Sequence, residues 1–154
     1  MNVAPAALPD LASIPALEPL AHADTILVFD GACEFCRRCI DTLQRVDRHD
    51  RVYCVPSQNL PVREALRLSA DEAAESVWLS VRLPSGRWRR CSGAAAVNSA
   101  LDIALGSRVL RTIYHLPGVA RLQEHLYRRV ADSRGPSCRL PDEPVSISKE
   151  SESR

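Results

Sequence analysis

A short apolar run, Ile26-Leu27-Val28-Phe29, stops at Asp30-Gly31 and is followed at once by Cys33-Glu34-Phe35-Cys36, where a helical pattern begins. Cysteines at that spacing, set where a strand hands over to a helix, are the usual layout of a dithiol redox site. Thr25 to Phe29 mixes β-branched and aromatic residues without a polar break, as a buried parallel strand does. Beyond it, Cys36, Ile40, Leu43 and Val46 fall on one helical stripe, with Arg37, Arg38, Asp41 and Arg45 opposite. The helix is therefore expected to pack on a sheet through the face that carries Cys36.

The rest of the pattern extends this unit. Arg51 to Val55 reads as a second strand, and Pro61 suits the first turn of the helix that follows. Ser69-Ala70-Asp71-Glu72 has the form of a capping box. Val77 to Leu83 and Arg87 to Cys91, joined by Pro84-Ser85-Gly86, predict an antiparallel hairpin in which Trp78 and Trp88 pack or pair. Ala94 to Leu105 is helical with Gly106 as its stop, and Arg108 to His115 and Val119 to Asp132 add two further helices. In the last, Val119, Leu122, Leu126 and Val130 share one face. The resulting order, β-α-β-α-β-β-α with extra C-terminal helices, is an α/β arrangement of the minimal thioredoxin-like kind, in which a C-x-x-C belongs just after the first strand.

Net charge excludes some partners. Lys and Arg total 20 against 19 Asp and Glu, which gives no electrostatic reason to expect nucleic acid or an anionic membrane. At 154 residues and 45% hydrophobic content, one soluble domain is expected, spanning residues 24–134. Prolines at 5, 9, 15 and 19 break the leader, so residues 1–23 are expected to be disordered, as is the polar tail 135–154. Asp10 and Glu18 stand where a secretory signal would be basic, and the six cysteines are unevenly spaced. The expected setting is therefore the reducing cytoplasm, where clustered cysteines mean redox or metal chemistry more often than staples.

Two chemistries remain open at the motif. In the redox reading, Cys33 stands at a helix N-terminus, where the macrodipole favours a thiolate, and is the attacking sulfur. Cys36, one turn on and in the apolar stripe, is then the buried resolving thiol. Asp30 is either a group that exchanges protons with the dithiol or simply a turn residue beside a glycine free to take positive φ. In the metal reading, Cys33, Cys36 and Cys39 ligate zinc or an iron–sulfur cluster, with Cys54, Cys91 or Cys138 as a fourth ligand. A helix counts against this, because it sets Cys33 and Cys39 about 60° to either side of Cys36 and about 9 Å apart in rise. A third reading is a scaffold that binds a partner through residues 108–132 without turnover. Gly31, Phe35, Ser92 and Gly93 are the positions expected to meet substrate, Ser92-Gly93 because a helix N-terminus receives carboxylates, although a plain helix cap at Ser92 is the stronger reading of that pair. His49, His115 and His125 form no ligand pair and no triad.

Three separated segments resemble the DCC family of thiol–disulfide oxidoreductases, small thioredoxin-like proteins named for an Asp followed by a cysteine pair. They are Val28-Phe29-Asp30-Gly31-Ala32-Cys33-Glu34-Phe35-Cys36, Ser92-Gly93-Ala94-Ala95-Ala96, and Leu116-Pro117-Gly118-Val119 with the stretch from Leu126 to Arg134. The resemblance implies a dithiol–disulfide site at Cys33 and Cys36 with Asp30 as a motif residue. The redox reading takes a disulfide-bearing protein or a small thiol as partner and needs no cofactor beyond the dithiol itself. Where thioredoxin-like proteins usually carry a cis-proline before the third strand, this chain has Glu75-Ser76-Val77.

Overall fold

The computed structural model describes residues 2–6, 17, 20 and 22–132. Its elements run β1 (Asn2–Ala6), β2 (Thr25–Phe29), α1 (Glu34–Val46), β3 (Tyr53–Pro56), α2 (Leu60–Ala65), α3 (Ala70–Glu75), β4 (Trp78–Arg82), β5 (Trp88–Ser92), α4 (Gly93–Leu105), α5 (Val109–Tyr114) and α6 (Val119–Asp132). The five strands form one mixed sheet in the order β1-β5-β4-β2-β3, and the whole is consistent with a thioredoxin-like fold.

β2 is the hinge of this arrangement. It pairs in parallel with β3, Phe29 opposite Pro56, and antiparallel with β4, Val28 opposite Trp78. Strands flanked on both sides by others must be apolar on both faces, and Thr25 to Val28 are all buried. Because side chains alternate, Ile26 and Val28 enter one core with Val55, Leu66, Trp78 and Trp88. Leu27 enters the other with Ile40, Leu43, Leu79 and Ala96. α1 and α4 therefore cover one face, while α2, Leu17 and Leu20 close the other.

Local chemistry explains the helix boundaries. Asn59 caps α2 by accepting from Val62 N–H at 3.3 Å. Ser69 and Glu72 make the reciprocal capping box ahead of α3, with Glu72 N–H to Ser69 Oγ at 3.1 Å and Ser69 N–H to Glu72 Oε2 at 2.9 Å. α4 ends at Gly106, whose φ of 66° is left-handed. Its buried face is mostly alanine, which lets the helix lie close to the sheet. In the hairpin the two tryptophans share one core without facing each other: Trp78 stands opposite Ser92 and Trp88 opposite Arg82. Each carries an arginine over its ring, Arg90 at 5.8 Å and Arg82 at 5.4 Å.

Two elements differ from the sequence expectation. Residues 2–6 of the proline-broken leader form an edge strand on β5, with the register shift falling between Val3 and Ala6, where Pro5 lies. Proline is tolerated there because an edge strand needs only one side of its backbone paired. The second difference is α6. The face carrying Leu122, Leu126 and Val130 is exposed, and the helix docks instead through polar tips. Asn98 Nδ2–H donates to Gln123 Oε1, Tyr114 O–H to Glu124 Oε1, and the Tyr127 hydroxyl accepts from Val77 N–H. The expected tail, residues 135–154, lies outside the described residues. Among those described, no helix is long and apolar enough to cross a membrane.

Leu79 sits in the central β4 with no exposed surface. Leu79→Ala should cost about 2–5 kcal/mol of stability, the range for an aliphatic cavity that cannot collapse, as read from the midpoint of urea denaturation.

Candidate functional site

The site grows from the end of β2. After Phe29 the chain turns, with Cys33 N–H donating to Asp30 C=O at 3.3 Å. Asp30 Oδ1 accepts from Ala32 N–H at 3.0 Å, an Asx turn that ties the side chain to its own loop. Cys33 becomes the N-cap of α1 with extended backbone (φ −80°, ψ 114°), and its C=O accepts from Arg37 N–H at 3.0 Å. The sulfur thus sits at the positive end of a 13-residue helix.

Parallel pairing brings the end of β3 to the same edge of the sheet. Ser57 N–H donates to Phe29 C=O at 2.7 Å, and Gln58 reaches across to the Asp-Gly turn. Its Oε1 accepts from Gly31 N–H at 3.1 Å while its Nε2–H donates to Asp30 Oδ1 at 3.0 Å. Gly31 is not among the residues with positive φ, so the turn does not need glycine for its backbone angles. The requirement is space: a Cβ there would lie 2.7 Å from Pro56 Cβ and 2.8 Å from Gln58 Oε1.

Asp30 is 4% exposed, and its second oxygen, Oδ2, is buried with no hydrogen-bond partner. Ser57 Oγ, on the neighbouring strand end, is also buried and unpartnered. Two orphan polar oxygens at one edge are unusual, since leaving such a group unsatisfied costs about 1–3 kcal/mol.

The cysteines are arranged differently from the expectation. Cys33, not Cys36, is fully buried; Cys36 is half-exposed and Cys39 exposed. The inward face of α1 is held by Ile40 and Leu43, and Cys36 lies one turn before them, where the helix passes the rim of the sheet. Cys33 is disulfide-bonded, whereas Cys36, Cys39, Cys54 and Cys91 are thiols, so the bond of Cys33 is not made to Cys36. Cys138 lies outside the described residues. Among those described, no group of three or more His, Cys, Asp or Glu side chains is placed to hold a metal ion.

Arg37, expected on a solvated face, curls back so that Nη1–H donates to Gly31 C=O at 3.2 Å. Arg38 pairs with Glu34 on the exposed surface. Phe35 is 49% exposed beside the motif, a large apolar side chain left in solvent. Arg37, Arg38, Phe29 and Cys54 border an open depression of 410 Å³ between α1 and the β2–β3 edge. Burial, and secondarily the Asp47 carboxylate, push the Cys54 thiol up to about 11. The Cys91 thiol is also raised, first by burial, with the Ser99 hydrogen bond opposing the rise.

Ser92 and Gly93 are at the start of α4, but the chain supplies its own anion there. Gly93 has φ of +65°, and a Cβ on it would meet Glu124 Oε2 at 2.7 Å. The same carboxylate accepts from Tyr114 O–H at 2.8 Å, and burial together with this bond pushes Tyr114 up to about 12. At the position usual for a cis-proline, no cis peptide occurs. Val77 N–H, which a proline would lack, donates to Tyr127 Oη at 3.0 Å. Tyr127 and Gln58 escape a sequence reading. The only advance signal for Gln58 is its place just past a strand parallel to β2, since such strand ends share one edge and gather ligand-binding groups there.

A family model described as DCC1-like thiol-disulfide oxidoreductase matches residues 27–139, from the middle of β2 past the end of α6. No curated protein and no solved structure matches the chain.

Two measurements check this geometry. Gly31→Ala should destabilise the protein by about 1–3 kcal/mol in urea denaturation, because Pro56 or the turn must shift to admit a methyl group. In fully reduced protein at pH 8, about one Cys54 in a thousand is thiolate if it titrates near 11. Iodoacetamide should therefore modify Cys54 far more slowly than exposed Cys39. Its rate should rise about tenfold per pH unit toward pH 11, as followed by peptide mass spectrometry.

Proposed function

The chain belongs to the DCC1-like thiol-disulfide oxidoreductase family, and from that premise we propose that Cys33 attacks a substrate disulfide, Cys36 resolves the mixed disulfide, and Asp30 exchanges the proton. The observation that carries this reading is the place of the pair: Cys33 is the N-cap of α1 and Cys36 lies one turn along the same helix. Residues three apart at a helix start have Cβ atoms about 5–6 Å apart, so a modest adjustment brings them within disulfide reach.

The electrostatics favour Cys33 as nucleophile. Its place at the N-cap of α1 stabilises a sulfur anion by interaction with the unsatisfied N–H groups of the first turn. Asp30 begins the same turn, and a buried carboxylate there can take a proton from a thiol and return it to a leaving thiolate. The substrate is a disulfide-bearing protein or a small disulfide. It would lie across Gly31 and Phe35, whose exposed ring offers apolar contact next to the pair. The dithiol itself carries two electrons to the substrate disulfide, and a thiol donor re-reduces the resulting Cys33–Cys36 disulfide to close the cycle, with no prosthetic group needed. A reducing, cytoplasmic setting completes the proposal, because there clustered cysteines serve redox chemistry more often than they serve as staples.

Replacing the resolving sulfur tests it. Cys36→Ser should accumulate a stable mixed disulfide on Cys33 when mixed with cell extract or a small disulfide, seen as a mass increment that dithiothreitol removes. Cys33→Ser should trap nothing and reduce turnover to the uncatalysed background. Cys39→Ser should leave turnover unchanged. Trapping on Cys33 absent in Cys36→Ser, or activity lost in Cys39→Ser, would sink the assignment.

A further inference from the structure

We propose that Gln58 is a positioning residue for the dithiol: by occupying Asp30 Oδ1 it reserves Oδ2 as the oxygen that carries the proton. The inference rests on the assignment of Asp30 as the proton-exchanging group. It adds which of its atoms acts and what holds that atom in place.

A free carboxylate has two equivalent oxygens and rotates between them. Here it has neither freedom. Oδ1 accepts two hydrogen bonds, from Ala32 N–H and from Gln58 Nε2–H, both at 3.0 Å. Gln58 is itself oriented by Gly31 N–H, which donates to its Oε1 at 3.1 Å, so the amide cannot flip without losing both bonds. Oδ2 is left buried and unpartnered in a side chain only 4% exposed. A structural aspartate buried in a turn would gain from pairing both oxygens. One saturated and one bare oxygen, set a single turn from the reactive sulfur, is the arrangement a proton acceptor requires.

The charged and titratable groups at this turn are few. α1 brings Cys33, Cys36, the exposed Glu34–Arg38 ion pair and Arg37, whose Nη1–H is committed to Gly31 C=O. The segment after β3 brings Ser57 and Gln58, which do not titrate, and β4 meets β2 here through Trp78 opposite Val28. Gln58 is thus the side chain that hydrogen-bonds the Asp30 carboxylate, alongside Ala32 N–H.

In the resolving step the Cys36 thiol gives its proton to Asp30 Oδ2. The Cys36 thiolate then attacks Cys33 Sγ in the mixed disulfide, forming the Cys33–Cys36 bond as the bond from Cys33 to the substrate sulfur breaks. The departing substrate thiolate takes the proton back from Oδ2. Two electrons pass from the dithiol to the substrate disulfide over the cycle, and no outside reductant enters this step.

The amide N–H of Gln58 favours the carboxylate over the acid, so its loss should raise the pH at which Asp30 becomes competent as a base. The experiment uses the full chain carrying Cys39→Ser and Cys138→Ser, reduced and then given one equivalent of 5,5′-dithiobis(2-nitrobenzoate). The first thionitrobenzoate released reports attack by Cys33, and the second reports resolution by Cys36. Because thionitrobenzoate leaves without needing a proton, the pH dependence of the second release reports only how Cys36 is deprotonated, and comparison with Asp30→Asn isolates the base. Gln58→Ala should move the acid limb of that rate upward by about one pH unit. Gln58→Glu, which keeps the acceptor for Gly31 N–H but sets a carboxylate against Asp30, should move it further. Asp30→Asn should replace that limb by the unassisted ionisation of Cys36, a slower rate rising about tenfold per pH unit across the acid range. A Gln58→Ala or Gln58→Glu protein that is slower at every pH with the limb unmoved would overturn the proposal and leave Gln58 a structural clamp. If the parent releases no second equivalent that depends on Cys36, the dithiol assignment itself fails, and the inference with it.

Discussion

Parallel pairing of β2 with β3 is the constraint from which the site follows. Parallel strands end at the same edge of a sheet, so Asp30-Gly31 and Ser57-Gln58 emerge side by side although 27 residues separate Gly31 from Gln58. The pairing holds because β2 is central and apolar on both faces, feeding Ile26 and Val28 to one core and Leu27 to the other. A slip of one residue would exchange these sets and carry the aspartate away from its amide partner. Fold stability and site geometry therefore depend on the same register.

Close approach at the strand ends has a chemical consequence. Gly31 is small because Pro56 and Gln58 leave no room for a Cβ, and that tightness brings the Gln58 amide within reach of both the turn and the carboxylate. The energetic cost is visible in the unsatisfied oxygens of Asp30 and Ser57. Buried polar groups left bare are seldom retained for stability, and they concentrate where a protein does chemistry.

The second polar assembly, around Glu124, has a different character. Here a carboxylate from α6 packs against the Gly93 start of α4 and receives the Tyr114 hydroxyl, while Tyr127 receives Val77 N–H. These contacts join the C-terminal helix to the segment that precedes β4, distant in sequence but adjacent in space. They also explain why α6 turns its leucines outward. Its hydrogen-bonding side chains meet partners on α4, α5 and the start of β4, and a helix can present only one face inward.

Much of this protein is legible in its amino-acid sequence. The apolar run at Thr25 to Phe29, the Asp-Gly turn, the helical period from Cys33, the capping box at Ser69 and the Gly106 stop are local signals, each readable within a few residues because backbone preference and side-chain period act over that range. The cysteine pair and its place after the first core strand belong to the same class. What tertiary structure decided was anything that depends on which groups meet across the chain. The exposure of Cys36 and burial of Cys33 depend on where α1 meets the rim of the sheet. The outward stripe of α6 follows from hydrogen-bond partners far away in sequence, and the Glu124 carboxylate fills a helix start that looked open to substrate. Gln58 shows the distinction most clearly: nothing in Pro56-Ser57-Gln58-Asn59 marks it, and only the parallel ladder, a long-range pairing, delivers its amide to Asp30.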